Sequence, residues 1–190
     1  LVDALAGGLS RSAQDYVCRR LRVIGTAQSV DALATLLPAE ETSHIARFAL
    51  ERIADEKAGQ ALRDALPKVN AKLKAGVIGS LGVRRDAKSV DTIAKFLDDA
   101  DTMTAQAAAH SLGLIGTPAA AKALSQFAAK APAAMAIPVA DARLLCAEQL
   151  LADGNKAEAM ALYKELQGDS QPSHVRVAAM RGLVSTGAKK

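Results

Sequence analysis

A leucine recurs along this chain at nearly even intervals, and each one is followed by two more apolar residues at fixed distances. The anchors Leu21, Leu50, Leu81, Leu112, Leu150 and Leu183 are separated by 29, 31, 31, 38 and 33 residues. Twelve residues past the first five stand Leu33, Leu62, Ile93, Leu124 and Leu162. Four further on come Leu37, Leu66, Leu97, Ala128 and Leu166. Residues four apart share one helical face. A period of this length, with one helix running up to the anchor and another following it, describes a helix pair that buries its apolar faces by stacking on its neighbours. The pattern therefore predicts an all-α chain, a right-handed α-solenoid of stacked antiparallel helix pairs. It would run over residues 1–190 as a single body of five to six units, with pairs near 13–37, 44–66, 71–97, 104–128 and 139–166 and a lone helix near 174–184.

The residue four after each anchor sharpens the boundaries. It is Gly25, Gly116, Gly154 and Gly187 in four units, which suits a helix end with left-handed backbone. Ala54 and Arg85 replace it in the other two, so those turns should be built differently. Pro118 stands where it can open the next helix. Leu5 and Leu9 keep the spacing of a second helix, and Val175–Leu183 is a first helix without a second, so the pattern predicts a piece of a longer solenoid. The long interval between Leu112 and Leu150 places extra chain around Lys130–Pro138, where two prolines disfavour helix in the residues before them. A loop or an offset helix start is expected there, and such a segment is also where a functional protrusion would sit.

Composition agrees with helix and excludes several classes. Half the residues are hydrophobic but only 3% are aromatic, the apolar content being mostly Ala and Leu. Residues 102–121 carry no charge, yet Gln106, His110, Ser111 and many alanines make them too weakly apolar for a membrane span. No signal-peptide pattern is visible. Cys18 and Cys146 lie far apart at apolar positions and read as buried free thiols. The net charge of +4 points toward an anionic partner, but acidic residues interleave with the basic clusters Arg19/Arg20/Arg22, Lys68/Lys72/Lys74 and Arg84/Arg85/Lys88.

The stretches CRRLRVIGTAQSVDALATLL (Cys18–Leu37), HSLGLIGTPAAAKAL (His110–Leu124) and VRVAAMRGL (Val175–Leu183) resemble HEAT-like repeats of the short bacterial type related to those of phycobilisome lyases. Ala147–Leu166 also resembles a tetratricopeptide unit. SHIARFALE and SLGVRRDAKSV are similar to large bacterial HEAT-repeat proteins, many of them exported. The resemblance implies a periplasmic or secreted location over a cytoplasmic one, and a scaffold in place of a catalyst. In such repeats a basic residue seven before the anchor, here Lys74, Arg143 and Arg176, pairs with an acidic residue of a neighbouring unit.

No constellation of catalytic residues is legible. His44, His110 and His174 fall near the starts of three first helices, on different layers, and none has a second ligand at helical spacing. Ser43 and Ser173 before two of them read as N-caps, and the carboxylates at Glu40/Glu41 and Asp98/Asp99/Asp101 as helix-dipole partners. No metal, cofactor or small molecule is indicated. Register instead turns the residues at +10 and +14 outward on the second helices: Asp31, Thr35, Gln60, Asp64, Asp91, Lys95, Lys122, Gln126, Met160 and Lys164. That surface, acidic early and basic late, would bind another protein or another module of the same parent chain. The alternatives are a basic nucleic-acid-binding module, or an enzyme akin to bilin lyases or alkylation-repair DNA glycosylases. Both enzymes want aromatic surfaces, and of the few aromatics here Phe96 and Phe127 sit at a seam position that predicts core.

Overall fold

The computed structural model describes residues 1–187, leaving aside the side chain of Ala6. Among these residues there are helices and no strands. The chain forms two compact units, Leu1–Arg84 and Arg85–Lys190.

The first unit holds α1 (Val2–Ala6), α2 (Arg11–Ile24), α3 (Ala27–Ala34), α4 (Glu40–Leu50), α5 (Glu56–Ala65) and α6 (Ala71–Val83). They lie in two layers: α2, α4 and α6 side by side, and α1, α3 and α5 side by side. Three of the starts are capped by a side chain. Ser10, Asp55 and Asn70 cap α2, α5 and α6, their side-chain oxygens accepting from the amides of Ala13, Lys57 and Leu73. The anchors Leu21, Leu50 and Leu81 and their partners Leu33, Leu37, Leu62 and Leu66 are at most 3% exposed. Each such leucine contributes about 1.5–3 kcal/mol by leaving water.

Polar staples hold the α4–α6 contact. The Arg47 guanidinium donates to the Gly76 carbonyl (2.9 Å) and Ser80 Oγ (3.2 Å), and Ser80 Oγ donates to Glu51 (2.7 Å). Burial holds the Arg47 pKa below the usual arginine value. A Cβ on Gly76 would lie 2.6 Å from the guanidinium carbon, so a larger residue there would push the Arg47 side chain off these partners. Arg84 closes the end of α4 and the turn after it, donating to the carbonyls of Leu50 (2.6 Å), Ile53 (2.5 Å) and Asp55 (3.0 Å).

The second unit holds α7 (Val90–Ala94), flanked by 3-10 turns at Ala87–Ser89 and Lys95–Asp98, then α8 (Thr102–Ile115), α9 (Pro118–Ala128), α10 (Ala133–Ala152), α11 (Lys156–Glu165) and α12 (Ser173–Gly187). Here α8, α10 and α12 pack in sequence, α9 and α11 lie against α10, and α7 packs on α8 and α9. The α8–α10 approach is close enough that a Cβ on Gly113 would meet the Ala142 carbonyl oxygen at 2.7 Å. Ile93, Leu112, Leu124, Leu150, Tyr163 and Leu166 fill the core.

Several local expectations are corrected. Of the two outcomes expected around Lys130–Pro138, the offset helix start is the one found: only a short turn precedes Ala133, where α10 begins with Pro138 inside it, so most of the extra chain is a helical extension. The helix expected around Ile93 and Leu97 is broken into one short α-helix between two 3-10 turns. Gly25 is extended (φ −66°, ψ 145°), not left-handed, and is needed because a Cβ would strike the Leu21 carbonyl oxygen at 2.3 Å and the Ile53 side chain at 3.0 Å. Gly116 does take the left-handed cap (φ 62°), and Arg85 adopts the same region (φ 53°) in place of a glycine. Ser43 is not a cap: α4 begins at Glu40, and Ser43 is fully buried within it. His110 lies late in α8 and not near its start.

Candidate functional site

Nine of the ten outward residues are exposed and Met160 is half-buried. In the first unit, four of them converge. Asp31 and Thr35 from α3 and its end, with Gln60 and Asp64 from α5, line one groove of about 480 Å³. Val30, Ala34, Ala61 and Ala65 give it an apolar floor, while Lys57 and Lys68 join the rim. The Lys57 ammonium reaches Asp31 across the groove at 2.6 Å, and Gln60 donates to Asp64 at 2.7 Å. Arg63 pairs with Glu56 (2.7 Å) and also donates to Gln60 (2.8 Å), so the α5 face is pre-organised by its own polar contacts. Register on the two second helices was the signal for these residues. Lys57 and Lys68 lay outside that register and needed the structure.

In the second unit the remaining six stand on three elements: Asp91 and Lys95 on and just after α7, Lys122 and Gln126 on α9, and Met160 and Lys164 on α11. None of them lines the second large hollow, of about 460 Å³, which Ala128, Ala131, Ile137, Arg143 and Gln171 help to form. None of the residues lining either hollow is aromatic. Phe127 and Tyr163 are buried, Tyr16 is exposed, and Phe48 lies under the Arg22 guanidinium at 4.1 Å.

The titratable groups have structural explanations. Asp101 caps α8, and the Thr104 hydroxyl bonded to it (2.7 Å) holds its carboxyl below the usual range. Asp153 is lowered by its pairing with Arg85, whose guanidinium also donates to the Ile115 carbonyl at the end of α8 (3.3 Å). His174 and Asp141 pair at 2.7 Å on the surface. Arg143 pairs with Glu165 of α11, within its own helix pair and not with a neighbouring unit, whereas Arg176 reaches back to Asp169 (3.0 Å). Cys18 and Cys146 are buried free thiols, pushed up to about 11 and about 12 by desolvation. Among the described residues no group of three or more His, Cys, Asp or Glu could hold a metal ion, and no helix is long and apolar enough to cross a membrane.

Residues 59–138, a little under half the chain, match the family model for HEAT repeats. No curated protein matches. Among solved structures, the crystal structure of an engineered protein is similar at 21% identity, covering 98% of this chain and 96% of that one with a TM-score of 0.49.

Proposed function

We propose that the chain is a non-catalytic protein-interaction scaffold in which the groove between α3 and α5 receives a segment of a partner. The observation that carries this reading is the groove's construction. An apolar floor of Val30, Ala34, Ala61 and Ala65 is rimmed by Asp31, Lys57, Asp64 and Lys68, the layout of an interface with an apolar centre and a polar edge. The partner segment is a helix or extended stretch with small apolar anchors flanked by charges of both signs. The outward residues of the other unit, the exposed Asp91, Lys95, Lys122, Gln126 and Lys164 and the half-buried Met160, would provide additional contacts. The HEAT-type match over residues 59–138 supports the scaffold reading, because repeats of this kind present extended helical surfaces.

The test is site-specific photo-crosslinking in the native host. A photoreactive side chain at Thr35 or at Gln60 should capture one and the same protein, while one at Tyr16, exposed on α2, should not. Asp31→Lys combined with Asp64→Lys should then weaken that complex about tenfold or more, since charges on an interface rim set register and exclude mismatched partners. Different products from the two groove positions, or affinity unchanged by the double reversal, would remove the groove from consideration.

A further inference from the structure

The second hollow lies apart from the second-helix residues and is built differently. One wall is the α9–α10 connection with the helical extension, Ala131, Ala136, Ile137 and Ala140, and the other is the Gln171–Pro172 segment that leads into α12. Its volume of about 460 Å³ is that of a small-molecule site. Arg143 is the charged side chain among the described residues lining it, and it is only 5% exposed. One end of its guanidinium pairs with Glu165, which also accepts from Ser125 Oγ at 3.1 Å. The buried Nε of Arg143 has no hydrogen-bond partner. That nitrogen has no surface open to the hollow, so an acceptor would engage the guanidinium only with a small turn of the side chain, which leaving a buried charged donor unpaired favours.

We propose that this hollow binds an aliphatic monocarboxylate, with its carboxylate on the Arg143 guanidinium and its chain along the alanine-rich wall. The small wall residues leave room for a hydrocarbon chain, and no aromatic side chain lines the site to stack a ring. Glu165 beside the guanidinium disfavours a dianion such as a phosphate monoester and favours a ligand of single charge. The start of α12 lies just beyond Pro172, so the positive end of that helix adds to the preference for an anion. The same chemistry is carried by a free fatty-type acid and by the C-terminal residue of a peptide.

The experiment is a methyl-NMR titration of the whole chain with hexanoate, with N-acetyl-leucine, and with hexanol as the uncharged control. Saturable shifts confined to the Ala131, Ala136, Ile137 and Ala140 methyls are expected with one or both acids, and the tighter ligand identifies the source. Hexanol should bind about tenfold or more weakly, because it leaves the guanidinium unanswered. Arg143→Gln should abolish the preference for acid over alcohol. Should that variant fail to fold, Ala136→Phe decides, since position 136 is exposed and the larger side chain should block acid binding while leaving the melting temperature in place. Hexanol binding as tight as hexanoate, shifts scattered over the surface without saturation, no shift at all, or hexanoate binding unaltered in Ala136→Phe would each overturn the proposal.

Discussion

Single residues set the tolerances of this molecule, and the glycines show it most clearly. Gly113 and Gly79 are both helical, yet a Cβ on Gly113 would run into the Ala142 backbone at 2.7 Å whereas nothing lies within 4 Å of one on Gly79. Gly113→Ala should therefore destabilise the chain by about 2–3 kcal/mol through forced separation of α8 and α10. Gly79→Ala should stabilise it by about 0.5–1 kcal/mol through helix propensity alone. Denaturant melts of the two variants check both signs. The cysteines offer a second measurement. With their thiols raised to about 11 and about 12 from an ordinary 9.0, the folded state disfavours both thiolates, and the associated stability is fully present below pH 9. It is lost as the pH rises, because the unfolded chain releases those protons first. A thiol reagent at pH 8 should leave the native protein unlabelled and modify both cysteines once it unfolds. Alkaline sensitivity should drop in the Cys18→Ala, Cys146→Ala double variant. Both cysteines were legible as buried thiols from their apolar register. Gly113 was not singled out, because nothing local distinguishes a glycine pressed against a neighbouring helix from one facing open space.

Among the elements, α10 departs furthest from the repeat. Its twenty residues begin six positions before the helix expected at 139 and include Pro138, which removes one backbone hydrogen bond and crowds the carbonyl four residues earlier. The two prolines leave a loop and an offset helix start both open, and the structure has the offset start. Pro132 in fact sits at the N-cap and Pro138 inside the helix, where burial of Met135 and Val139 stabilises the extension enough to offset the lost bond. Pro138→Ala should raise stability by about 1 kcal/mol, the regained helix bond being partly offset by a freer unfolded chain. It should also shift the Ile137 methyl resonance as the first turns repack. A decrease in stability would mean that the proline itself is needed to seat those turns. The opposite departure occurs at α7, where a helix of expected length is broken by 3-10 turns. Its predecessor Asp86 is buried and accepts from Ser89, whose hydroxyl reaches the Asp86 carbonyl at 2.7 Å, so a local side-chain bond competes with the helix start.

For the molecule as a whole, charge is the property most easily misread. The net +4 suggests nucleic acid, but the basic clusters are largely spent on internal work. Arg19 pairs with Asp15, Arg22 covers Phe48, Lys72 pairs with Glu40, and Arg84 and Arg85 bind carbonyl groups at helix ends. A titration with random duplex DNA at low salt should accordingly show no saturable binding, and tight binding that weakens steeply with added salt would reverse that reading. The amino-acid order alone determined that the chain is helical, where most of the turns fall and which leucines of the five complete pairs are buried, because a repeat writes the same apolar spacing into every unit and each helix reads it locally. It also marked the four residues that meet in the α3–α5 groove, since register decides which side of a helix faces out. Only the tertiary structure decided that Lys57 and Lys68 complete that rim, that Arg84 and Arg85 act as helix-end clamps, and that Arg143 lines an alanine-walled hollow with a donor unpaired. Those features depend on distances between segments far apart in the chain, and no local pattern encodes them.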